Sequence, residues 1–465
     1  MKGKIILPIT SLLLITSLTG CDQGRTRGDG KVAVKYLISA ESISYQTILD
    51  EIISDFNALH EEDGYYIETE VPGGDYYTSL GSKFAARIAP DIFMMEYGHF
   101  LPYSSYLAPL DTYLSNSDKL SSSDLWELND YYKDNGELKA IIKDFSPDFM
   151  LIYNKTMLDN YNSMHPDKQY QLSEDEPVTW EYFYEMTSAI QHSALAELGT
   201  SLGFEGVKHL HEIVQSTGKN VYTNEDKNLN KDDEDVRSAI AFFTALQKTN
   251  VSLNGQEKAN ELSPFISIQE TYSDKKAPAA YTSGSTTSEQ EMFKQGRCFS
   301  IFNGLYSFPS YDFYNINNFE IGIAPHPVQN EGDSMYGTTS AMVSHAIYSK
   351  SKYKDYAWEF IEYYQTVGLE KISKIAFNIP GNKTIAGSDN FLNNENEKVK
   401  KTANYFYNFV KDGYCYPTMY NSKIDFTSLA NCYTSAFTKY FASDSTINFD
   451  ELINMIDSAV FNKAR

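Results

Sequence analysis

The chain is short of basic residues, of cysteine and of long apolar runs. Its 465 residues hold 39 Lys and Arg against 62 Asp and Glu, a net charge of −23. That deficit excludes the basic face a nucleic-acid binder turns to phosphates. It also excludes the polybasic stretch that holds a protein to anionic lipid. An anionic ligand would need a single local Arg. The four cysteines, Cys21, Cys298, Cys415 and Cys432, form no CxxC and no Cys/His metal spacing. GxSxG, Walker, HExxH and GxGxxG patterns are missing, which removes the commonest hydrolase, nucleotidase, metalloprotease and dinucleotide designs. No cofactor and no metal are therefore expected. Paired carboxylates for glycoside hydrolysis are a spatial feature, and in a chain with 62 acids two of them prove nothing.

What is present begins at the N-terminus. Lys2 and Lys4 precede an apolar run from Ile5 to Leu18, too short for the roughly 20 residues of a bilayer span. It has the shape of a secretory signal. It ends in "LTGC", Leu18 to Cys21, which resembles the lipobox where a bacterial signal is cut and the new terminal Cys is lipidated. Residues 1–20 are read as the signal peptide and Cys21 as the lipid anchor. The polar, Gly-rich residues 21–30 form a flexible tether. No other segment reads as a membrane span, so lipid alone would hold the chain to the outer face of the cell membrane. The remaining length suits two lobes better than one core. A Cys415–Cys432 disulfide is possible outside the cytoplasm.

Periodicity then places elements. "KVAVKYLISA" reads as a strand, "SYQTILDEIISDFNALH" as an amphipathic helix, "YYIETEVPG" as a strand, and "YYTSLGSKFAARIA" as a helix stopped by Pro90. "DIFMME" is a buried strand that delivers Glu96, Tyr97 and His99 to its C-terminal end. Alternating strands and helices predict a mostly parallel sheet, whose ligands gather at strand C-termini. Asp148–Tyr161 reads as a strand breaking into a helix at Asn154-Lys155, and Pro177–His192 as a helix capped by Thr179. The acidic loop Asp226–Arg237 lacks the Gly and the terminal Glu of a calcium loop. His209 and His211 in "KHLHE" have no third ligand nearby and read as surface.

Several stretches, in this order, resemble the bacterial extracellular solute-binding proteins of the carbohydrate-binding, maltose-binding-protein-like type. They are "ISDFNALH", "AARIAPDIFMM", "LAPLDTYL", "FMLIYNKTML", "VTWEYFYEMTSAI", "FKQGRCFSIFNGLYSF", "IGIAPHPV", "KDYAWEFIEYY" and "NIPGNK". The resemblance implies an α/β, two-lobe periplasmic-binding-protein fold of class II, each lobe a mostly parallel sheet flanked by helices, with the ligand cleft between. By that analogy residues 31–151 and 318–372 form the N-terminal lobe. Residues 152–317 and 375–465 form the C-terminal lobe. The implied protein is a monomeric receptor that passes a sugar to the permease subunits of an ABC importer and does no chemistry. Other readings are a surface glycoside-processing enzyme and a ferric-iron receptor, since adjacent Tyr pairs occur at 65–66, 76–77, 131–132 and 363–364.

A sugar site needs planar polar side chains for hydroxyls and an aromatic platform for the C–H face. Candidates by position are Ser39 and Glu41 after the first strand, and Glu96, Tyr97 and His99 after "DIFMM". Asp148 precedes the crossing, Asn303, Gly304 and Tyr306 form a turn, and Gly337, Thr338 and Thr339 precede a later strand. The family often carries Trp after the turn Gly. Here "NGLYSF" puts the ring at Tyr306 or Phe308. The three Trp, at 126, 180 and 358, lie elsewhere, so a Trp-lined groove for long oligosaccharides is not evident.

Overall fold

The structure is a computed structural model. It describes residues 25–26, 28, 30–39, 42–201, 206–223, 228–247, 288–333, 339–417, 424, 426–440, 442 and 445–464. Cys21, Glu41, Asp226, Gly337 and Thr338 lie outside the described residues.

The chain opens with β1 (Val32–Leu37), α1 (Ile43–Leu59), β2 (Tyr65–Glu70), α2 (Tyr76–Ala86), β3 (Ile92–Glu96) and α3 (Tyr97–Tyr103). In α1 the helical spacing of Tyr45, Leu49, Ile52, Ile53 and Phe56 makes one buried stripe. Ser42 starts it, its hydroxyl accepting from Tyr45 N–H at 3.3 Å. Asp75 caps α2 in the same way, accepting from Thr78 N–H at 2.7 Å. α2 stops at Arg87, which takes a left-handed φ of 59°, shortly before Pro90. A short hairpin, β4 (Lys133–Asp134) and β5 (Glu137–Leu138), leads to β6 (Ala140–Pro147), buried along its whole length.

At Asp148–Phe149 the chain crosses to a second sheet. This holds β7 (Met150–Asn154), β8 (Leu198–Ser201), β9 (Cys298–Asn303) and β10 (Ile321–Ala324), in spatial order β10-β7-β9-β8. β7 alternates: Met150 and Ile152 enter one hydrophobic cluster, Leu151 and Tyr153 the other. The chain then returns to the first sheet with β11 (Thr339–Ile347), β12 (Ile379–Pro380) and β13 (Tyr416–Pro417). That sheet has seven strands, ordered β12-β6-β11-β3-β1-β2, with β13 on β11.

The sheets are mixed, which corrects the expectation of mostly parallel ones. β1 pairs parallel with β2 and β3. β11 wedges between β3 and β6 and runs antiparallel to both, because it comes back from the other lobe. In the second sheet β7 is antiparallel to β9 and β10, and only β8 and β9 are parallel. Strand pairing also moves the expected boundaries. β10 pairs with β7, although a boundary at 318 put it with the first lobe. β12 and β13 pair with β6 and β11, although 375–465 was assigned to the second lobe.

Two smaller expectations change. His211 is buried, not on the surface, because helix Gly206–Ser216 is enclosed on every side from Leu210 to Ser216. Burial pulls its imidazole down to about 3. Cys415 and Cys432 are buried thiols, with no disulfide between them.

β6 carries a bulge. Val343 faces Asp144 and Ser344 faces Ile142, so Lys143 is the extra residue. Both Lys143 and Asp144 are buried, and their charges meet at 2.7 Å. Lys143 Nζ also donates to Tyr45 Oη at 2.7 Å, and Asp144 Oδ1 accepts from Asn378 Nδ2 at 2.9 Å. Gly381 passes so close to the bulge that a Cβ there would stand 1.8 Å from Ile142 O.

Candidate functional site

The two sheets meet where β6 ends, β7 begins, β9 ends and β11 begins. Phe149 holds a left-handed φ of 56° at the crossing, a conformation non-glycine residues rarely keep without reason. Asp148 beside it is buried, and its Oδ1 accepts from Phe149 N–H at 3.2 Å. Ser146 Oγ accepts from Leu305 N–H at 2.9 Å and donates to Pro147 O at 2.8 Å. One buried hydroxyl thus ties the end of β6 to the turn after β9. Pro147 lies opposite Ser340 of β11, and Met150 opposite Asn303 of β9. Asp148, Asn303, Gly304, Tyr306 and the start of β11 at Thr339 are therefore gathered at one junction.

Gly304 is fixed by close approach. A Cβ there would stand 2.9 Å from Ser146 Oγ and 2.9 Å from the Tyr306 ring. The turn can pass under Ser146 only without a side chain, and that passage sets the Tyr306 ring against the junction. Tyr306 is half-buried and packs on the first cluster. Asn303 is buried.

A second group sits at the C-terminal ends of β1 and β3. Glu96 is exposed, and its N–H donates to Tyr77 Oη at 2.7 Å. Tyr97 is half-buried, with its ring edge-on to Tyr131 at 5.9 Å and Tyr132 at 5.8 Å. Ser39 is half-buried, with its Oγ 3.9 Å from Met94 Sδ. His99 is buried and stacked on Tyr77, with ring centroids 3.5 Å apart. It packs under Tyr77 and is as buried as Asp148 and Asn303. Val343 lies opposite Glu96 and Ser340 opposite Pro147, so the two groups are offset by three residues along β11, about 10 Å.

Tyr76 and Tyr77, which the sequence offered only as one of four adjacent Tyr pairs, lie in the first turn of α2 and brace the ends of β1 and β3. Tyr76 Oη lies 3.2 Å from Leu37 O and 2.9 Å from Met94 O, and accepts from Met94 N–H at 2.9 Å. Burial raises the Tyr77 phenol well above its usual range, so it stays neutral and can serve both as donor and as acceptor. The other Tyr pairs are also engaged in structure. Tyr132 Oη bonds Met342 O at 3.0 Å, Tyr364 Oη meets Tyr45 Oη at 2.8 Å, and Tyr65 Oη donates to Glu359. Of the described candidates, Glu96 and Asp148 are acidic and none is Lys or Arg.

A two-lobe α/β fold with polar and aromatic groups gathered where the sheets meet defines a solute-binding architecture. Residues 51–401 match the family described as bacterial extracellular solute-binding protein, and the chain belongs to that family. Membership places its working face outside the cytoplasm. Among the described residues no helix is long and apolar enough to cross a membrane.

Solved structures share the fold at low identity. The ABC substrate-binding protein Lmo0181 from Listeria monocytogenes, in complex with cycloalternan, is 16% identical with a TM-score of 0.66, over 92% of this chain and 98% of its own. The GacH receptor of Streptomyces glaucescens GLA.O, solved unliganded and with acarbose, is 15% identical with a TM-score of 0.67, over 93% and 99%. The sugar-binding protein MalE of Xanthomonas citri is 14% identical with a TM-score of 0.66, over 93% and 97%. Among curated proteins, none matches by sequence.

Proposed function

We propose that this protein is the substrate-binding lipoprotein of an ABC importer, taking a neutral sugar or oligosaccharide between its lobes and handing it to the membrane permease. The observation that carries the reading is the Ser146–Leu305 tie, which brings Asp148, Asn303 and Tyr306 to the junction of the two sheets. An aromatic face beside planar polar groups is what a pyranose requires. Glu96, Tyr97 and Ser39 supply the first-lobe side, with Glu41, Gly337, Thr338 and Thr339 completing the set. The solute is bound and released without bond cleavage, and the protein works as a monomer. Sugars bound by the similar solved structures, cycloalternan and acarbose among them, agree with this class of ligand.

A thermal-shift screen against a panel of neutral sugars tests it. Ligand at 100 times its dissociation constant stabilises the folded state by about 2.7 kcal/mol, so a true ligand raises the melting temperature clearly. A uronic acid of the same size should give no shift, because the proposed set offers three carboxylates, Glu41, Glu96 and Asp148, and no cation. Shifts with anionic solutes and none with neutral sugars would reject the reading.

The lipid anchor has its own test. Cys21→Ser is expected to move the protein from the membrane fraction to the soluble one, with sugar affinity unchanged. Retention of the variant in membranes would contradict lipidation at this residue.

A further inference from the structure

Arg25 and Thr26 fall in the stretch read as a tether, yet both are bonded to the first sheet. Thr26 faces Val32 in an antiparallel bridge, and Ala33 N–H donates to Arg25 O at 2.8 Å. They find room there because β3 joins β1 only from Tyr36 on, which leaves the start of β1 open on that side. The Arg25 side chain closes the contact. Its Nη1 donates to Asp91 Oδ2 at 2.6 Å, and its guanidinium lies 5.9 Å from the centre of the Tyr353 ring. Asp91 is buried and also accepts from Lys35 N–H at 2.8 Å and from Ser351 Oγ–H at 2.7 Å. Arg25 thus supplies the cation for a buried carboxylate otherwise bonded to an amide and a hydroxyl. The two side chains are 23% and 2% exposed, so water screens this pair less than a surface one.

This dock lies close to Cys21 in the chain. Four residues separate Cys21 from Arg25, a reach of at most about 14 Å. Counted instead to the start of β1 at Val32, the reach would be about 40 Å. The dock is also far from the interlobe site. Ser39, at the cleft end of β1, is six residues beyond Ala33, about 20 Å along the strand. Around the dock the loops before β3 and after β11 come together, because Ile347 lies opposite Ile92. They expose Arg87, Lys350 and Lys352, and with them the apolar Ile88. In a chain of net charge −23 such a face is out of pattern. The exposed acids Glu61, Glu62 and Asp63 precede β2, the edge strand on the far side of β1. Asp355 is engaged by Tyr113 Oη at 2.7 Å.

We propose that Arg25 is a pin that cuts the tether to its first four residues and seats the cleft-distal end of the first lobe, with Arg87, Ile88, Lys350 and Lys352, on anionic lipid headgroups. The proposal rests on the lipid anchor at Cys21. The lipid supplies the attachment, and the basic residues only orient the lobe on it. The strand ends that bear Ser39 and Glu96 then stand roughly 20 Å farther from the bilayer.

The chain from Cys21 onward, coupled through that thiol to a maleimide lipid, tests this whether or not cells lipidate Cys21, a question the Cys21→Ser fractionation answers separately. Cys298, Cys415 and Cys432 are buried and should not react. The vesicles are phosphatidylglycerol and phosphatidylcholine in equal parts. On coupling, acetylation of Lys350 and Lys352, read by mass spectrometry, should fall more than about fivefold. Lys168 of the second lobe, with its side chain 53% exposed, should react as before. Arg25→Ala should reduce that fall to below about twofold, since the longer tether frees the lobe to turn. In the same variant the Ala33 amide should exchange more than about tenfold faster, because it loses Arg25 O. Asp91 keeps its bonds from Lys35 and Ser351, so the variant should fold. Equal acetylation of Lys350 and Lys352 in free and coupled chains would overturn the proposal. So would a protection, or an Ala33 exchange rate, that Arg25→Ala leaves unchanged.

Discussion

Asp144→Ala should lower folding stability by about 3–5 kcal/mol, the largest effect expected of any single change described above. Lys143 and Asp144 are both about 1% exposed and meet at 2.7 Å inside the first lobe. Removing the carboxylate leaves a buried ammonium without its counter-charge, and the ammonium cannot regain water. Asn378 loses its 2.9 Å acceptor in the same step. That loss matters beyond the pair, because residues 378–382 run against the β6 bulge, where Gly381 N–H donates to Lys143 O at 2.9 Å. Denaturant unfolding of the variant measures the cost. The double variant Lys143→Met, Asp144→Leu should recover most of it, since an apolar pair of similar volume avoids burying charge. A cost under about 1 kcal/mol for Asp144→Ala would mean that the pair does not hold this region.

Tyr306→Ala should weaken sugar binding by about 1–3 kcal/mol, roughly 5- to 150-fold, while changing stability little. The ring sits against Gly304 and Ser146 at the junction of the two sheets and stays half-buried, which leaves a face for a ligand. Tyr306→Phe should keep most of the affinity, because the stacking face remains. If the ring serves only as packing, the emphasis reverses: the unliganded protein melts lower and the affinity is near normal. Calorimetric titration of both variants, beside melting curves without ligand, separates the two outcomes.

Much of this was legible along the chain. The apolar stripe of α1, the Thr179 cap with its 3.2 Å bond from Tyr182 N–H, and the break from β7 to helix at Asn154-Lys155 follow from spacing and capping chemistry. Trp180 and Trp358 are core residues, as their helical positions indicate. What was not legible depends on partners far away in sequence. Nothing local in Thr339–Ile347 says that it will wedge antiparallel between β3 and β6. The same holds for β10, whose place beside β7 is set by tertiary pairing. At the site, Asn303, Gly304 and Asp148 could be placed because strand ends and Gly turns leave a signature. The stacking of His99 on Tyr77 was not legible, because it depends on α2 lying over the end of β3. Tyr77 stands out along the chain only as half of an adjacent pair, and in a chain with 36 Tyr that does not reveal its place over His99.

The central claim is a neutral sugar held between two lobes that close on it. A ligand that touches both lobes stabilises the closed state over the open one. Small-angle scattering of the full chain, with and without a saturating sugar whose binding the thermal-shift screen has established, tests this directly. The account predicts a smaller radius of gyration in the bound sample and no change with a non-binding sugar at the same concentration. An unchanged radius at proven saturation would contradict it.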